Sequence, residues 1–173
     1  MRFVIPVVVA GLIAPAAIAE RSASSPSTRT VPCSESIDVT RFPYVGDRRP
    51  SLRYRLVLGV VSVPASYLAQ VVPTQQRPWS YWRKAGLVIR AGSPLVRVSV
   101  TQSWRNRAAI TWGNNTGIVE SLRIAGCGTP QAIGYAYAGG FYLRSPSSCV
   151  PLVFRVGTRA ATVRFGVGRR CAR

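Results

Sequence analysis

The chain has 173 residues, of which 23 are Lys or Arg, five are Asp or Glu and none is His, so its formal net charge is +18. The absence of histidine excludes Ser-His-Asp and Cys-His catalysis, histidine acid–base steps and mixed Cys/His zinc sites. A net charge this high destabilises a compact fold through self-repulsion and favours an anionic partner.

The N-terminus has the layout of a secretory signal peptide. Arg2 precedes an unbroken apolar or small run from Phe3 to Ala19, which ends in the small-x-small site Ala17-Ile18-Ala19. One positive residue, an apolar stretch and such a site are typical of a cleaved leader. We predict a signal peptide over residues 1–19, cleavage after Ala19 and a secreted, extracellular protein. An uncleaved N-terminal anchor is the alternative.

After the predicted signal peptide, the chain has the composition of a short spacer and then the length of a single domain. Residues 20–32, ERSASSPSTRTVP, are polar, rich in Ser and Thr and without apolar periodicity. These features predict a flexible linker. Residues 33–173 are enough for one domain with a sizeable core.

Residues 33–173 contain short strand patterns separated by turn signals, and no convincing long amphipathic helix. Leu52, Tyr54, Leu56 and Leu58 alternate with other residues at period two. Gly113-Asn114-Asn115-Thr116-Gly117 predicts a hairpin turn, and Gly157-Thr158-Arg159 predicts a tight turn. The fold expected is all-β, an antiparallel β-sandwich of immunoglobulin-like or jelly-roll-like type, with a small β-barrel as the alternative. The further strand patterns are Leu87–Ile89, Val96–Val100, Ala109–Trp112, Ile118–Ile124, Phe141–Leu143, Leu152–Val156 and Thr162–Val167.

The four cysteines predict two disulfides, because an even number of cysteines in an oxidising compartment is typically paired. Three connectivities are open. We favour Cys127–Cys149, which closes a Gly- and Tyr-rich excursion, together with Cys33–Cys171, which ties the two ends of the domain.

Arginine doublets are the first candidate for a binding site. They stand next to each other or at period two, where side chains of one strand share a face. Guanidinium groups fork onto phosphate or carboxylate, so converging doublets would form an anion-binding patch; a solvated sandwich face is the alternative. The candidate residues are Arg48, Arg49, Arg53, Arg55, Arg105, Arg107, Arg169 and Arg170.

An aromatic loop is the second candidate. Trp79, Tyr81 and Trp82 stand beside Arg77, Arg83 and Lys84, and exposed rings with polar neighbours can stack on sugars or sit at a lipid interface. The function expected of such a loop is a protein- or carbohydrate-binding module. Packing of Trp79 or Trp82 in the core is the alternative. A secreted protease inhibitor belongs to the same class of function, with the segment Leu143–Ser148 as a disulfide-braced loop presented to a protease.

The carboxylates do not suggest an enzyme. Glycoside hydrolysis needs two carboxylates at a fixed separation, and neither Asp38 nor Asp47 is singled out as a partner of Glu120. We expect these groups to form surface ion pairs, and we expect a binding protein without catalytic activity, cofactor or metal. The partners favoured are an anionic cell-wall polymer or a membrane surface. A protein partner is the alternative, and nucleic acid is not expected outside the cell.

Three stretches carry a resemblance to known sequences. YWRKAGLVIR (Tyr81–Arg90), AITWGN (Ala109–Asn114) and the block from Ala138 to Cys171 resemble a group of small secreted proteins predicted in actinobacteria. The resemblance covers about the C-terminal half of the chain. That group has no assigned activity, so the resemblance implies a secreted single domain and supplies no functional residues.

Overall fold

The computed structural model describes residues 27–45, 53–65 and 67–172. The predicted signal peptide, Asp47, Arg48 and Arg49 lie outside these residues. The described chain forms three sheets and two short 3-10 turns, Cys33–Glu35 and Gln102–Trp104. Its strands are β1 Thr28–Val31, β2 Asp38–Arg41, β3 Tyr54–Val57, β4 Val61–Pro64, β5 Val72–Pro73, β6 Tyr81–Lys84, β7 Leu87–Arg90, β8 Val96–Val100, β9 Ala108–Trp112, β10 Ser121–Ile124, β11 Ile133–Tyr137, β12 Gly139–Leu143, β13 Ser148–Val156 and β14 Arg159–Val167.

The first sheet has the strand order β1-β10-β8-β13-β14. Its strands pair antiparallel except β1, which runs parallel to β10. Period-two alternation sets its two faces: Val96, Val98 and Val100 are buried, whereas Arg97 is exposed and Ser99 is half-buried. One face of this sheet therefore lies on the core and the other faces solvent.

The second sheet has the order β2-β11-β7-β4-β3, and the third has the order β5-β6-β12-β9. Gly139 and Gly140 let β12 approach both of its neighbours closely. A Cβ atom on Gly139 would lie 1.8 Å from the Thr111 carbonyl oxygen, and one on Gly140 would lie 2.0 Å from that of Arg83. Glycines inside a strand are typical of such a close approach of two backbones.

All three sheets contribute to one hydrophobic core. Phe165 of the first sheet packs on Phe141 of the third, with ring centroids 5.2 Å apart, and Phe141 packs on Trp112 at 5.8 Å. The prediction of an all-β antiparallel sandwich with two disulfides is confirmed. No sheet of the described ranges closes on itself, so the barrel alternative is not adopted.

The predicted linker is wrong at its C-terminal end. Thr28–Val31 forms β1, which pairs with Ser121–Ile124, and Val31 is fully buried. A polar segment can add to a sheet because the ladder uses backbone donors and acceptors, which every residue here except proline supplies. Val31 then contributes the one apolar side chain that anchors the strand on the core.

The favoured disulfide connectivity is also wrong: the bonds join Cys33 to Cys127 and Cys149 to Cys171. The parallel pairing places Val31 opposite Ile124, so β1 and β10 end at the same edge and deliver Cys33 and Cys127 together. Cys149 lies opposite Gly166 on β14, and the chain beyond Val167 turns back at Gly168, which brings Cys171 beside Cys149. The sequence has no signal for the parallel pairing of β1 with β10, so the positions of the cysteines along the chain could not predict which of them are bonded.

Candidate functional site

A cleft between the first and second sheets collects three arginines. Arg55 comes from β3, Arg164 from β14, and Arg170 from the C-terminal segment that follows β14. They line a cavity of about 170 Å³, and its lining residues, all within the described chain, include no Asp or Glu. We call this cavity the arginine cleft. Its other lining residues are Pro64, Ala65, Tyr67, Phe165, Gly166 and Cys171.

Aromatic rings and a backbone carbonyl position two of these guanidinium groups. Arg55 Cζ lies 5.6 Å from the centroid of the Phe165 ring, and Arg55 Nη2 donates to the Arg164 carbonyl oxygen at 3.1 Å. Arg170 Cζ lies 4.7 Å from the centroid of the Tyr67 ring. Stacking on a ring face leaves the edge of a guanidinium group, and its N–H donors, free for a ligand.

The electrostatics of the cleft favour a bound anion. Burial lowers the pKa of Arg55, because desolvation penalises its charged form. No carboxylate of the described residues offsets that penalty at the cleft. An anion that enters would supply the missing opposite charge and accept N–H bonds from several donors.

The structure brings together only part of the predicted arginine set. Arg55 and Arg170 meet in the arginine cleft, whereas the exposed side chains of Arg53 and Arg169 are not part of its lining. Arg164, which the sequence analysis missed, completes the cleft. Arg164 is a single arginine between apolar residues in the predicted strand Thr162–Val167. Only the folded arrangement of the strands brings β14, and with it Arg164, close to β3.

Arg105 and Arg107 are engaged elsewhere. Arg105 Nε lies 3.4 Å from Glu120 Oε2, and this ion pair is partly buried. Arg107 Cζ lies 4.1 Å from the centroid of the Trp104 ring. The first side chain is neutralised by a carboxylate and the second covers a tryptophan, so neither joins an arginine patch.

The predicted aromatic loop is a strand for half of its length. Tyr81 and Trp82 belong to β6 and point to opposite faces, and Tyr81 packs against the core. Trp82 lies directly opposite Tyr142 of β12, and both are half-buried. Trp79 lies in the connection before β6, beside a polar hollow of about 440 Å³. The tryptophan of the described core is Trp112, which is 1% exposed and donates from Nε1 to the Ala85 carbonyl oxygen.

Each carboxylate in the described residues has a local partner. Glu35 is buried, lies 2.5 Å from Arg29 Nη2 and accepts from Thr116 Oγ1 at 3.0 Å. Glu120 pairs with Arg105, and Asp38 accepts from the backbone N–H of Val39 at 2.8 Å. The expected ion pair is found for Glu120, whereas Asp38 contacts a backbone N–H and Asp47 lies outside the described residues. The buried pair of Glu35 with Arg29 was not predicted.

The segment proposed as an inhibitor loop is an exposed connection between β12 and β13. Residues 144–147 are exposed, between the buried Leu143 and Ser148. The Ser145 hydroxyl donates to the Ser147 carbonyl oxygen and accepts from the Ser147 N–H, which makes the loop tight. Cys149 ties its C-terminal end to Cys171 and not to Cys127.

Comparisons with family models, with curated proteins and with solved structures found no match. The resemblance to secreted actinobacterial proteins therefore stays a prediction. Within the described residues no three His, Cys, Asp or Glu side chains gather to hold a metal ion. No helix in that part of the chain is long and apolar enough to cross a membrane.

Proposed function

We propose that this protein is a secreted, non-enzymatic binding protein that engages anionic components of the cell envelope through the arginine cleft. The observation that carries the proposal is one cavity that is lined by Arg55, Arg164 and Arg170 and by no carboxylate of the described residues. The formal charge of +18 and the two disulfides support the same function, since they suit a basic protein in an oxidising compartment.

The test is retention on three materials at low and high salt: isolated cell envelope, anionic vesicles and a neutral polysaccharide. We expect retention on envelope that is largely lost at about 0.5 M salt, because screening shortens the reach of exposed charges to a few ångströms. The double variant Arg55→Gln/Arg170→Gln should lose retention at low salt. The double variant Arg41→Gln/Arg90→Gln, which removes two exposed arginines from outside the cleft, should retain it. Equal losses of retention in both variants would show that net charge alone accounts for binding to the envelope, and would overturn the proposal.

A carbohydrate- or protein-binding module is the second candidate, and the aromatic surface of the third sheet favours it. Trp82 and Tyr142 are cross-strand neighbours with half-exposed side chains, and Trp79 borders a hollow lined by Thr74, Gln75, Arg77 and Ser80. Aromatic rings beside hydroxyl and amide groups suit the apolar faces and hydroxyls of a sugar. Retention on neutral polysaccharide that persists at high salt and is lost in Trp79→Ala, without a lower melting temperature, would favour this function over the first.

A further inference from the structure

Three arginines form a row across the outer face of the first sheet. Arg123 of β10 lies directly opposite Arg97 of β8, and Arg97 lies directly opposite Arg155 of β13. All three side chains are exposed. Directly opposed residues have Cβ atoms about 4.5–5.5 Å apart, so the row spans two strand spacings, or about 10 Å. We call these residues the arginine row.

The row is costly to the fold and is not neutralised within the described chain. Like charges directly opposite each other on a sheet destabilise the pairing. The carboxylates that could offset them are engaged elsewhere: Glu35 with Arg29, Glu120 with Arg105, and Asp38 with the N–H of Val39. A partner that carries negative charge would remove this repulsion.

The surroundings of the row leave the guanidinium groups accessible. The next row of directly opposed residues is Ser121, Ser99, Val153 and Thr162, whose side chains are small and mostly hydroxylic. Arg97 and Arg155 also line one hollow of about 380 Å³ together with Pro94, Leu95 and Gly157. The row therefore borders an open hollow, with the half-buried Ser99 and the exposed Thr162 as the accessible hydroxyl groups beside it, whereas Ser121 is buried.

The row suits a polymer that carries its charges in its backbone. Two guanidinium groups on strands about 5 Å apart can both donate to the free oxygens of one phosphodiester, as they can to a carboxylate. In a phosphate polymer these charged groups follow one another along the backbone itself, whereas the carboxylates of a polypeptide stand on separate flexible side chains that must each be ordered on binding. The row offers two such gaps in line, which suits consecutive phosphates of one chain. A lipid surface would instead favour a broad basic patch with apolar side chains to insert.

We infer that the arginine row formed by Arg97, Arg123 and Arg155 is a binding surface for a linear phosphate polymer that runs across the strands. This inference rests on the proposed function and names the chemistry of its ligand. The row and Arg164 of the arginine cleft lie on the same outer face of the first sheet, at separate positions along β14. Along β14, the residue beside the row is Ala160 and the cleft residue is Arg164, four residues or about 13 Å further along the strand. One polymer can therefore engage the row while a terminal phosphate enters the cleft.

The test measures affinity for synthetic poly(glycerol phosphate), for glycerol phosphate, for poly-glutamate of equal charge and for phosphatidylglycerol vesicles. The row variant is Arg97→Gln/Arg123→Gln/Arg155→Gln. Its matched control, Arg41→Gln/Lys84→Gln/Arg90→Gln, removes the same charge from exposed positions outside the first sheet. We expect the row variant to bind the polymer about tenfold or more weakly, whereas the affinity of the control changes little. The slope of log affinity against log salt concentration should become shallower in the row variant, by the equivalent of about two phosphate contacts. Glycerol phosphate binding should depend on the cleft variant Arg55→Gln/Arg170→Gln and not on the row.

A higher melting temperature of the row variant would show that it is folded, because removing opposed charges relieves repulsion. Equal losses in the row and control variants, with glycerol phosphate still bound at the cleft, would overturn the inference and leave the proposed function standing. Equal binding of poly-glutamate, or row-dependent binding of vesicles but not of the polymer, would also overturn it. No binding of any anion would overturn both.

Discussion

Glu35 connects the N-terminal segment to the turn between β9 and β10. Its carboxylate pairs with Arg29, accepts from Thr116 and faces the backbone N–H of Asn115 at 3.4 Å. Arg29 also donates from Nη1 to the Asn115 carbonyl oxygen. Because Glu35 is only 5% exposed, hydrogen bonds from these partners take the place of the water that would otherwise solvate its carboxylate.

We expect Glu35→Gln to destabilise the protein by about 1–3 kcal/mol, since it removes a charged partner from Arg29 and weakens a buried hydrogen-bond cluster. The matched control is Glu120→Gln, which removes the carboxylate of the more exposed Arg105 pair and should cost less than about 1 kcal/mol. Chemical denaturation of the two variants measures both values. A Glu120→Gln loss as large as that of Glu35→Gln would contradict the role assigned to burial.

Tyr137 makes stability sensitive to alkaline pH. Burial, with smaller contributions from Tyr135 and Glu35, raises its pKa to about 12, and its hydroxyl lies 3.3 Å from Cys127 Sγ. The pKa of an unfolded tyrosine is about 10, so the unfolded state loses its proton first. The contribution of Tyr137 to stability is therefore complete below pH 10 and is lost as the pH rises towards 12.

We expect the free energy of unfolding to fall between pH 10 and pH 12 more steeply in the wild-type protein than in Tyr137→Phe, which has no proton to lose there. Denaturation curves across that range measure the difference in slope. Parallel curves for the two proteins would show that Tyr137 does not carry the effect.

At the scale of the elements, the two disulfides constrain loops of very different length. Cys33–Cys127 closes a sequence separation of 94 residues, and Cys149–Cys171 closes one of 22. In the chain-entropy description, the longer loop contributes about 4.5 kcal/mol and the shorter about 3.5 kcal/mol. We expect Cys33→Ser/Cys127→Ser to lower the melting temperature more than Cys149→Ser/Cys171→Ser. The reverse order in a thermal scan would mean that local packing of the C-terminal segment outweighs loop entropy.

The glycines of β12 are required by the closeness of its neighbours. We expect Gly139→Ala to cost about 2–4 kcal/mol, because its Cβ would collide with the backbone of Thr111, which cannot move without breaking the ladder. Gly117→Ala is the control: no atom lies within 4 Å of a Cβ there, and its cost should be below about 0.5 kcal/mol. Comparison of the two denaturation midpoints tests the assignment.

The strands that the sequence predicted are those with strong alternation or continuous apolar runs, such as Val96–Val100 and Leu152–Val156. Thr28–Val31 and Tyr81–Lys84 were missed because their side chains are polar or aromatic, and their sheet pairing depends on the backbone of distant neighbours.

The arginine row could not be predicted for the same reason, because it depends on the pairing of strands that are distant in sequence. Arg97, Arg123 and Arg155 each stand between two apolar residues on a predicted strand, but only the pairing of β10, β8 and β13 aligns them. Two of the three arginines of the cleft could be predicted, because Arg55 and Arg170 belong to doublets, whereas Arg164 is single.

For the whole molecule, the excess of positive charge predicts a stability that depends on anions. We expect phosphate to raise the melting temperature more than chloride at equal ionic strength, because screening is common to both salts and binding at the arginine cleft is specific to the forking anion. The variant Arg55→Gln/Arg170→Gln should show a smaller difference in melting temperature between the two salts than the wild-type protein. Some difference should remain, because phosphate stabilises folded proteins in general and the arginine row is intact in this variant. An undiminished difference would place the phosphate effect elsewhere on the surface.

The parallel pairing of β1 with β10 also sets an order of events during folding. Thr28 finds its partner at Ser121, so the first described strand stays unpaired until more than ninety further residues have been made. The antiparallel ladder of β13 with β14, joined at Gly157 and Thr158, needs no such wait and can form as soon as both strands are present. We therefore expect the N-terminal strand to dock late, onto a sheet that already exists, and the disulfide Cys33–Cys127 to close the longer of the two disulfide loops afterwards.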